Sequence, residues 1–182
     1  LDGNGYPDVA FAWGGNGMVS YQYDNTKTGN VKAGPNKTEF AETAGFTIFD
    51  FNQDGKSEIV YRGILKFYIV DGETLSEKST PMQSYSGTVA EYPIVADVDG
   101  DGQAEIILTR AYKSWHNDPA TGAAGVADAR GRVSIYKSAD ATNAWAPART
   151  VWNQWSYNSI HINDDMTVPR YPVNPGTVFP GK

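Results

Sequence analysis

The sequence predicts an all-β chain built from a repeated unit, and three observations carry that expectation. An acidic, glycine-containing motif recurs at a fixed spacing. Each copy is followed by short β-favouring runs separated by Gly, Asn and Asp. No stretch holds the 3.6-residue apolar period of a helix over about 11 residues.

The motif reads "DFNQDGKSEIV" from Asp50 and "DVDGDGQAEII" from Asp97, a gapless match with a period of 47 residues. "LDGNGYPDV" at the start of the chain supplies a third copy: Gly5 matches Gly55 and Gly102, and Asp8 matches Glu58 and Glu105. In that register the first acidic position falls before Leu1, so the first repeat is expected to be truncated at its N-terminus. Periods of about 20–50 residues mark solenoids, propellers and arrays.

The elements follow in order. Unit one, "DVAFAWGGNGMVSYQY", reads as strand, glycine-rich turn, strand. Unit two, "EIVYRGILKFYIVDGETL", reads as strand, short turn, strand. Unit three has "EIILTR", a long insertion, then "GRVSIYKSAD". The run "EYPIV" predicts a further strand ahead of the third acidic loop. With a weaker fourth strand, each unit is a four-stranded sheet, and radially repeated four-stranded sheets are the blades of a β-propeller. The expected architecture is about three blades over residues 1–147, a closing segment at 148–168 and a Pro-rich extended tail or linker at 169–182. Three blades fall short of a closed ring of about four to eight, so upstream blades or another chain are expected to complete it.

Composition narrows the function. The 182 residues, 40% hydrophobic and 13% aromatic, suffice for a buried core. A net charge of −6 disfavours nucleic acid and anionic lipid as partners. The absence of cysteine excludes disulfides and thiolate chemistry, and two histidines make a His-rich transition-metal site a poor expectation. No apolar run is long enough for a transmembrane helix.

The acidic loops ask for a cation. Four carboxylates in "DVDGDGQAE" would repel one another by roughly 3 kcal/mol per pair at about 5 Å. Asp97, Asp99 and Asp101 alternate, and Gly102 permits a sharp turn that lets them converge. The Gln103 carbonyl and the Glu105 carboxylate complete an all-oxygen set, which suits Ca2+ better than zinc or copper. The second loop offers Asp50, Asn52, Asp54, the Lys56 carbonyl and Glu58; the truncated first offers Asp2, Asn4, the Tyr6 carbonyl and Asp8. Two complete calcium sites and one truncated site are expected, with affinity falling from the third loop to the first as the carboxylate count falls. An EF-hand would need Glu at position twelve, where Leu108 and Tyr61 stand, and flanking helices. The competing reading is a set of Asx-rich turns without metal.

At these residues the sequence resembles the FG-GAP/VCBS repeat family, the integrin-α-type β-propeller. The loops "DFNQDGKSEIV" and "DVDGDGQAEII", the partial "LDGNGYPDV" and the turn "WGGNG" carry the likeness, over about residues 1–145. The resemblance implies calcium bound between the first two strands of each blade. Two departures, Glu at position nine of the complete loops and Asn52 in place of Asp, remain compatible with calcium. The segment "ARTVWNQWSYNSIHINDDMTVPRYPVNPG" is similar to one that follows such repeats in large secreted Bacteroidetes surface proteins, which are linked to adhesion. It implies a secreted or cell-surface location and no particular activity.

Other residues are weighed against plainer roles. Trp115, His116, Asn117 and Asp118 lie in the roughly 20-residue insertion of unit three and could contact a protein or glycan ligand, or simply occupy a surface loop. Trp152 and Trp155 could form an aromatic platform for carbohydrate, but are expected to pack between blades and cap a core. Asp164 and Asp165 near His161 read as a solvated turn rather than an acid–base pair. No convincing catalytic set is present. The expected role is a calcium-stabilised part of a surface adhesin or scaffold. A calcium-dependent polysaccharide-degrading enzyme and a purely structural spacer are the alternatives.

Overall fold

The computed structural model describes residues 1–13, 17–24, 30–33, 45–86, 91–110, 131–155 and 157–173. The fold is all-β: among the described residues there is no helix, and the strands form three antiparallel sheets. β1 (Val9–Trp13), β2 (Gly17–Gln22) and β3 (Asn30–Ala33) make the first, in that order. β4 (Phe46–Phe49), β5 (Glu58–Arg62), β6 (Lys66–Asp71) and β7 (Met82–Gln83) make the second. In the third, β9 (Glu105–Arg110) lies between β8 (Ile94–Ala96) and β10 (Arg132–Tyr136).

The second sheet shows the full unit: a strand before the acidic loop, a hairpin after it, then a short fourth strand. The hairpin closes through Gly63 N–H donating to the Lys66 carbonyl at 2.8 Å. The strand expected at "EYPIV" is shorter than its apolar run, because Pro93 has no N–H for a ladder and β8 starts after it.

Burial explains the sequence of the central strands. β5 is buried at every position, which requires cover on both faces. One face carries Val60, Phe67 and Ile69 against Val95, Ile106 and Leu108 of the third sheet. The other carries Ile59, Tyr61, Tyr68 and Val70 against Met18 of the first sheet. Arg62 is also buried, donating to the Tyr85 carbonyl at 2.7 Å and facing Glu91 at 3.5 Å; desolvation pushes its pKa down.

The outer sheets have one covered face each. Val9, Phe11 and Val31 of the first sheet are exposed, and so are Val133 and Ile135 of the third. These residues alternate with ones that face the second sheet, as strand geometry demands. The arrangement is therefore open, with an apolar face at each end.

Residues 144–149 do not add a strand. They pass between the second and third acidic loops, with Trp145 against Phe51 at a ring separation of 4.9 Å. Ala146 N–H donates to the Phe51 carbonyl at 2.8 Å, Ala104 N–H to the Ala146 carbonyl at 3.0 Å and Asp97 N–H to the Arg149 carbonyl at 3.0 Å. Trp155 departs from expectation: it is 58% exposed and meets Tyr92 edge-on at 5.3 Å rather than filling a core. It lines a cleft together with β4, Tyr92 and Val95.

Candidate metal centre

The three acidic loops share one backbone design. Position six of each is a glycine in the left-handed region: Gly5 (φ 84°), Gly55 (φ 85°) and Gly102 (φ 87°). Position four is left-handed too: Gly3 (φ 74°), Gln53 (φ 57°) and Gly100 (φ 77°). Two reversals so close together fold the alternate side chains back onto their own amides.

A hydrogen-bond ladder follows. The position-three oxygen accepts the position-five N–H: Asp2 from Asn4 at 3.0 Å, Asn52 from Asp54 at 3.1 Å, Asp99 from Asp101 at 3.2 Å. The position-five oxygen accepts the position-seven N–H: Asn4 from Tyr6 at 2.8 Å, Asp54 from Lys56 at 2.8 Å, Asp101 from Gln103 at 2.9 Å. The position-one carboxylate receives the glycine N–H, Asp50 from Gly55 at 2.9 Å and Asp97 from Gly102 at 3.0 Å.

Position nine closes each loop. Glu58 Oε2 accepts Phe51 N–H at 2.9 Å, and Glu105 Oε2 accepts Val98 N–H at 2.9 Å. Asp8 Oδ2 accepts from the Leu1 amino group, in the equivalent position, at 2.7 Å. Each of these acids uses one oxygen to fix the loop; the second oxygen of Asp8 accepts Tyr23 N–H at 3.0 Å, whereas Glu105 Oε1 has no hydrogen-bond partner.

The third loop is the one in which carboxylates converge. Oxygens of Asp97, Asp99 and Glu105 lie within 4.8 Å of one another, and no other group of three acids or histidines does so among the described residues. Asp97 and Glu105 are buried, Glu105 to 1% exposure. Glu105 Oε1 is buried and has no hydrogen-bond partner. A buried carboxylate oxygen left in that state is costly. Asp101 stands outside the group and turns its Oδ2 to Lys137 Nζ at 2.7 Å. That ammonium, followed by the Gln103 N–H, holds the Asp101 carboxyl below its ordinary pKa.

The second loop differs by Asn52, whose amide donates to Asp54 Oδ2 at 3.0 Å. The Lys56 N–H and then this amide lower the Asp54 pKa. Glu58 is raised by burial, an effect partly offset by the Phe51 N–H. In the first loop Asp2, Asn4 and Asp8 are knitted together, and Asn4 also donates to the Tyr23 carbonyl at 3.0 Å. Tyr6 packs edge-on against Tyr23 at 5.7 Å.

The oxygens present fit calcium. Asp97, Asp99 and Glu105 could hold a metal ion, their oxygens are hard donors of the kind calcium takes, and Glu105 Oε1, which has no hydrogen-bond partner, is one buried atom that a cation would satisfy.

Lys137 escapes a reading of the sequence. It sits across from Glu105 because β10 pairs Tyr136 with Ile106, a register hidden by the insertion between β9 and β10. Trp115, His116, Asn117 and Asp118 lie outside the described residues. Asp164 and Asp165 behave as turn residues: Asp164 pairs with Arg149 Nε at 2.7 Å, and Asp165 accepts Thr167 N–H at 3.0 Å.

An aromatic cleft of about 510 Å3 lies beside β4, with Phe46, Tyr92, Trp152, Trp155 and Tyr157 among its walls. Trp152 stacks on Tyr157 at 4.5 Å, and Arg149 fixes that wall through Tyr157 Oη at 2.8 Å and the Ile162 carbonyl at 2.9 Å.

Comparison with known proteins bears on the repeat and the fold. Residues 1–61 match the FG-GAP-like repeat, covering the first loop, the whole of the second and β5 as far as Tyr61. The crystal structure of the V. cholerae biofilm matrix protein Bap1 is similar over 86% of this chain, with 26% identity and a TM-score of 0.61. The chain spans 24% of the length of that protein. No curated protein matches this chain.

Proposed function

We propose that this chain is a calcium-stabilised part of a β-propeller in a secreted or cell-surface protein with an adhesive or scaffolding role. One observation carries the calcium reading: a buried Glu105 oxygen with no hydrogen-bond partner lies among three converging carboxylates. The ladder common to all three loops supports it. When bound, calcium supplies positive charge that offsets carboxylate repulsion. The chain's residues do the rest: glycines turn the loop, amides orient the acids, and Glu105 ties the loop to the start of β9. The second complete site would use Asp50, Asn52, Asp54, the Lys56 carbonyl and Glu58.

The exposed apolar faces of the outer sheets support further blades beside this chain, from the same protein or another. The hydrogen bonds of Ala146 and Arg149 support a closing role for 148–168, beginning a few residues earlier than the sequence indicated. The likeness to a protein named for the biofilm matrix supports an extracellular, adhesive setting. Among the described residues no helix is long and apolar enough to cross a membrane. The aromatic cleft offers flat apolar surface of the kind a glycan or protein ligand would use.

The test is bound calcium per chain by elemental analysis, with melting temperature measured with and without chelator. Two ions per chain and a large fall in melting temperature on chelation are expected. No calcium at millimolar supply, with an unchanged melt, would overturn the metal reading. Glycan-array binding without turnover is expected for the adhesive role, and release of product from a polysaccharide would overturn it.

A further inference from the structure

We propose that Lys137 is a built-in counter-ion of the third loop, occupying its carboxylates when no divalent ion is bound and raising the calcium concentration needed to fill it. This rests on the calcium reading above and concerns how that site is controlled.

Among the described residues the geometry is specific to one loop. Lys137 Nζ lies 2.7 Å from Asp101 Oδ2, 2.8 Å from Asp99 Oδ2 and 3.8 Å from Glu105 Oε1. Two of these three acids belong to the converging group, and the third contact is with the oxygen that has no hydrogen bond. One ammonium therefore bonds Asp99 and Asp101 and lies near Glu105, three of the four carboxylates of the loop.

Among the described residues the other loops lack this arrangement. Opposite Glu58 stands Asp71, from the register Glu58↔Asp71. Lys78 reaches Glu58 Oε1 at 3.8 Å but lies closer, at 3.1 Å, to Asp71, which is outside the loop. Opposite Asp8 stands Gln22, one step beyond the pair Val9↔Tyr21, and its amide is committed to the Gly72 and Glu73 carbonyls at 2.9 and 2.6 Å.

Lys137 can leave without unfolding anything. Its side chain is 45% exposed, on a flexible four-carbon stem. A divalent ion entering the loop displaces the two partly exposed ammonium–carboxylate pairs with Asp99 and Asp101, each a modest interaction, so the combined effect on affinity is about tenfold. The same pairs hold the loop in shape without metal. Carboxylate count alone puts the third loop first in affinity; the lysine removes that advantage.

The test uses the whole chain, titrated with calcium chloride by calorimetry, as wild type, Lys137→Met and Lys137→Arg. Lys137→Met is expected to tighten one calcium site about tenfold and to lower the melting temperature in chelator. Lys137→Arg keeps the charge and is expected to retain wild-type behaviour in both readouts. In an Asp97→Asn background the gain from Lys137→Met should vanish. Calcium binding intact but unchanged by Lys137→Met, or a gain that survives Asp97→Asn, overturns the proposal and leaves the calcium reading standing. Failure of every variant to bind calcium, with equal melts in calcium and chelator, overturns both.

Discussion

Ala146 N–H donates to the Phe51 carbonyl at 2.8 Å, and the Ala146 carbonyl accepts Ala104 N–H at 3.0 Å. One residue thus joins the second acidic loop to the end of the third. Phe51 N–H is itself held by Glu58, so the contact runs from one acidic-loop carboxylate across residues 144–149 toward the other loop. Ala146 is buried, so its lost donor could not be replaced by water.

Ala146→Pro removes that N–H and should destabilise the chain by about 2 kcal/mol. Ala146→Gly keeps the donor and should cost about 1 kcal/mol or less. Denaturant unfolding of the two variants checks this; equal losses would show that the hydrogen bond is not the main contribution.

Glu58 is raised in pKa by burial, so its charge opposes folding when no cation is present. The sign follows: the penalty exists above the folded pKa and is relieved as pH falls through it. Glu58→Gln should therefore raise the melting temperature in chelator at neutral pH. In calcium it should lower it, because a ligand charge is lost. Paired thermal melts would reveal this change of sign.

Gly102 sits at φ 87° with open space where a Cβ would go, so any cost of Gly102→Ala is backbone strain rather than a clash. That cost is expected to be roughly 1–2 kcal/mol. The variant should also bind calcium more weakly, since the turn aligns the Gln103 carbonyl. Calorimetry and denaturant unfolding together separate the two effects.

Asp140 is held at about 2, chiefly by hydrogen bonds from the Thr142 hydroxyl and the Asn143 amide. A depressed carboxylate stabilises the fold above its unfolded value, near 3.8, and loses that contribution as pH falls toward 2. Carboxyl NMR titration should show Asp140 deprotonating near that lower value, and Thr142→Ala should move it upward.

Much of the fold was legible because its repeat is local. The 47-residue period, the glycine at position six and the acid at position nine are all near neighbours in sequence, and φ and the Asx ladder are local consequences of them. β9 was predicted to the residue at "EIILTR" for the same reason. Trp155 was misjudged because an aromatic residue in an irregular segment has no period to say which way it points.

The sequence by itself determined an all-β repeat with three acidic loops, since alternation, turn chemistry and charge spacing act within about ten residues. Only the tertiary structure decided which carboxylates converge, that Lys137 lies over them, and that residues 144–149 pass between two loops. Those facts depend on strand register across a long insertion and on sheet-to-sheet packing, where residues distant along the chain meet.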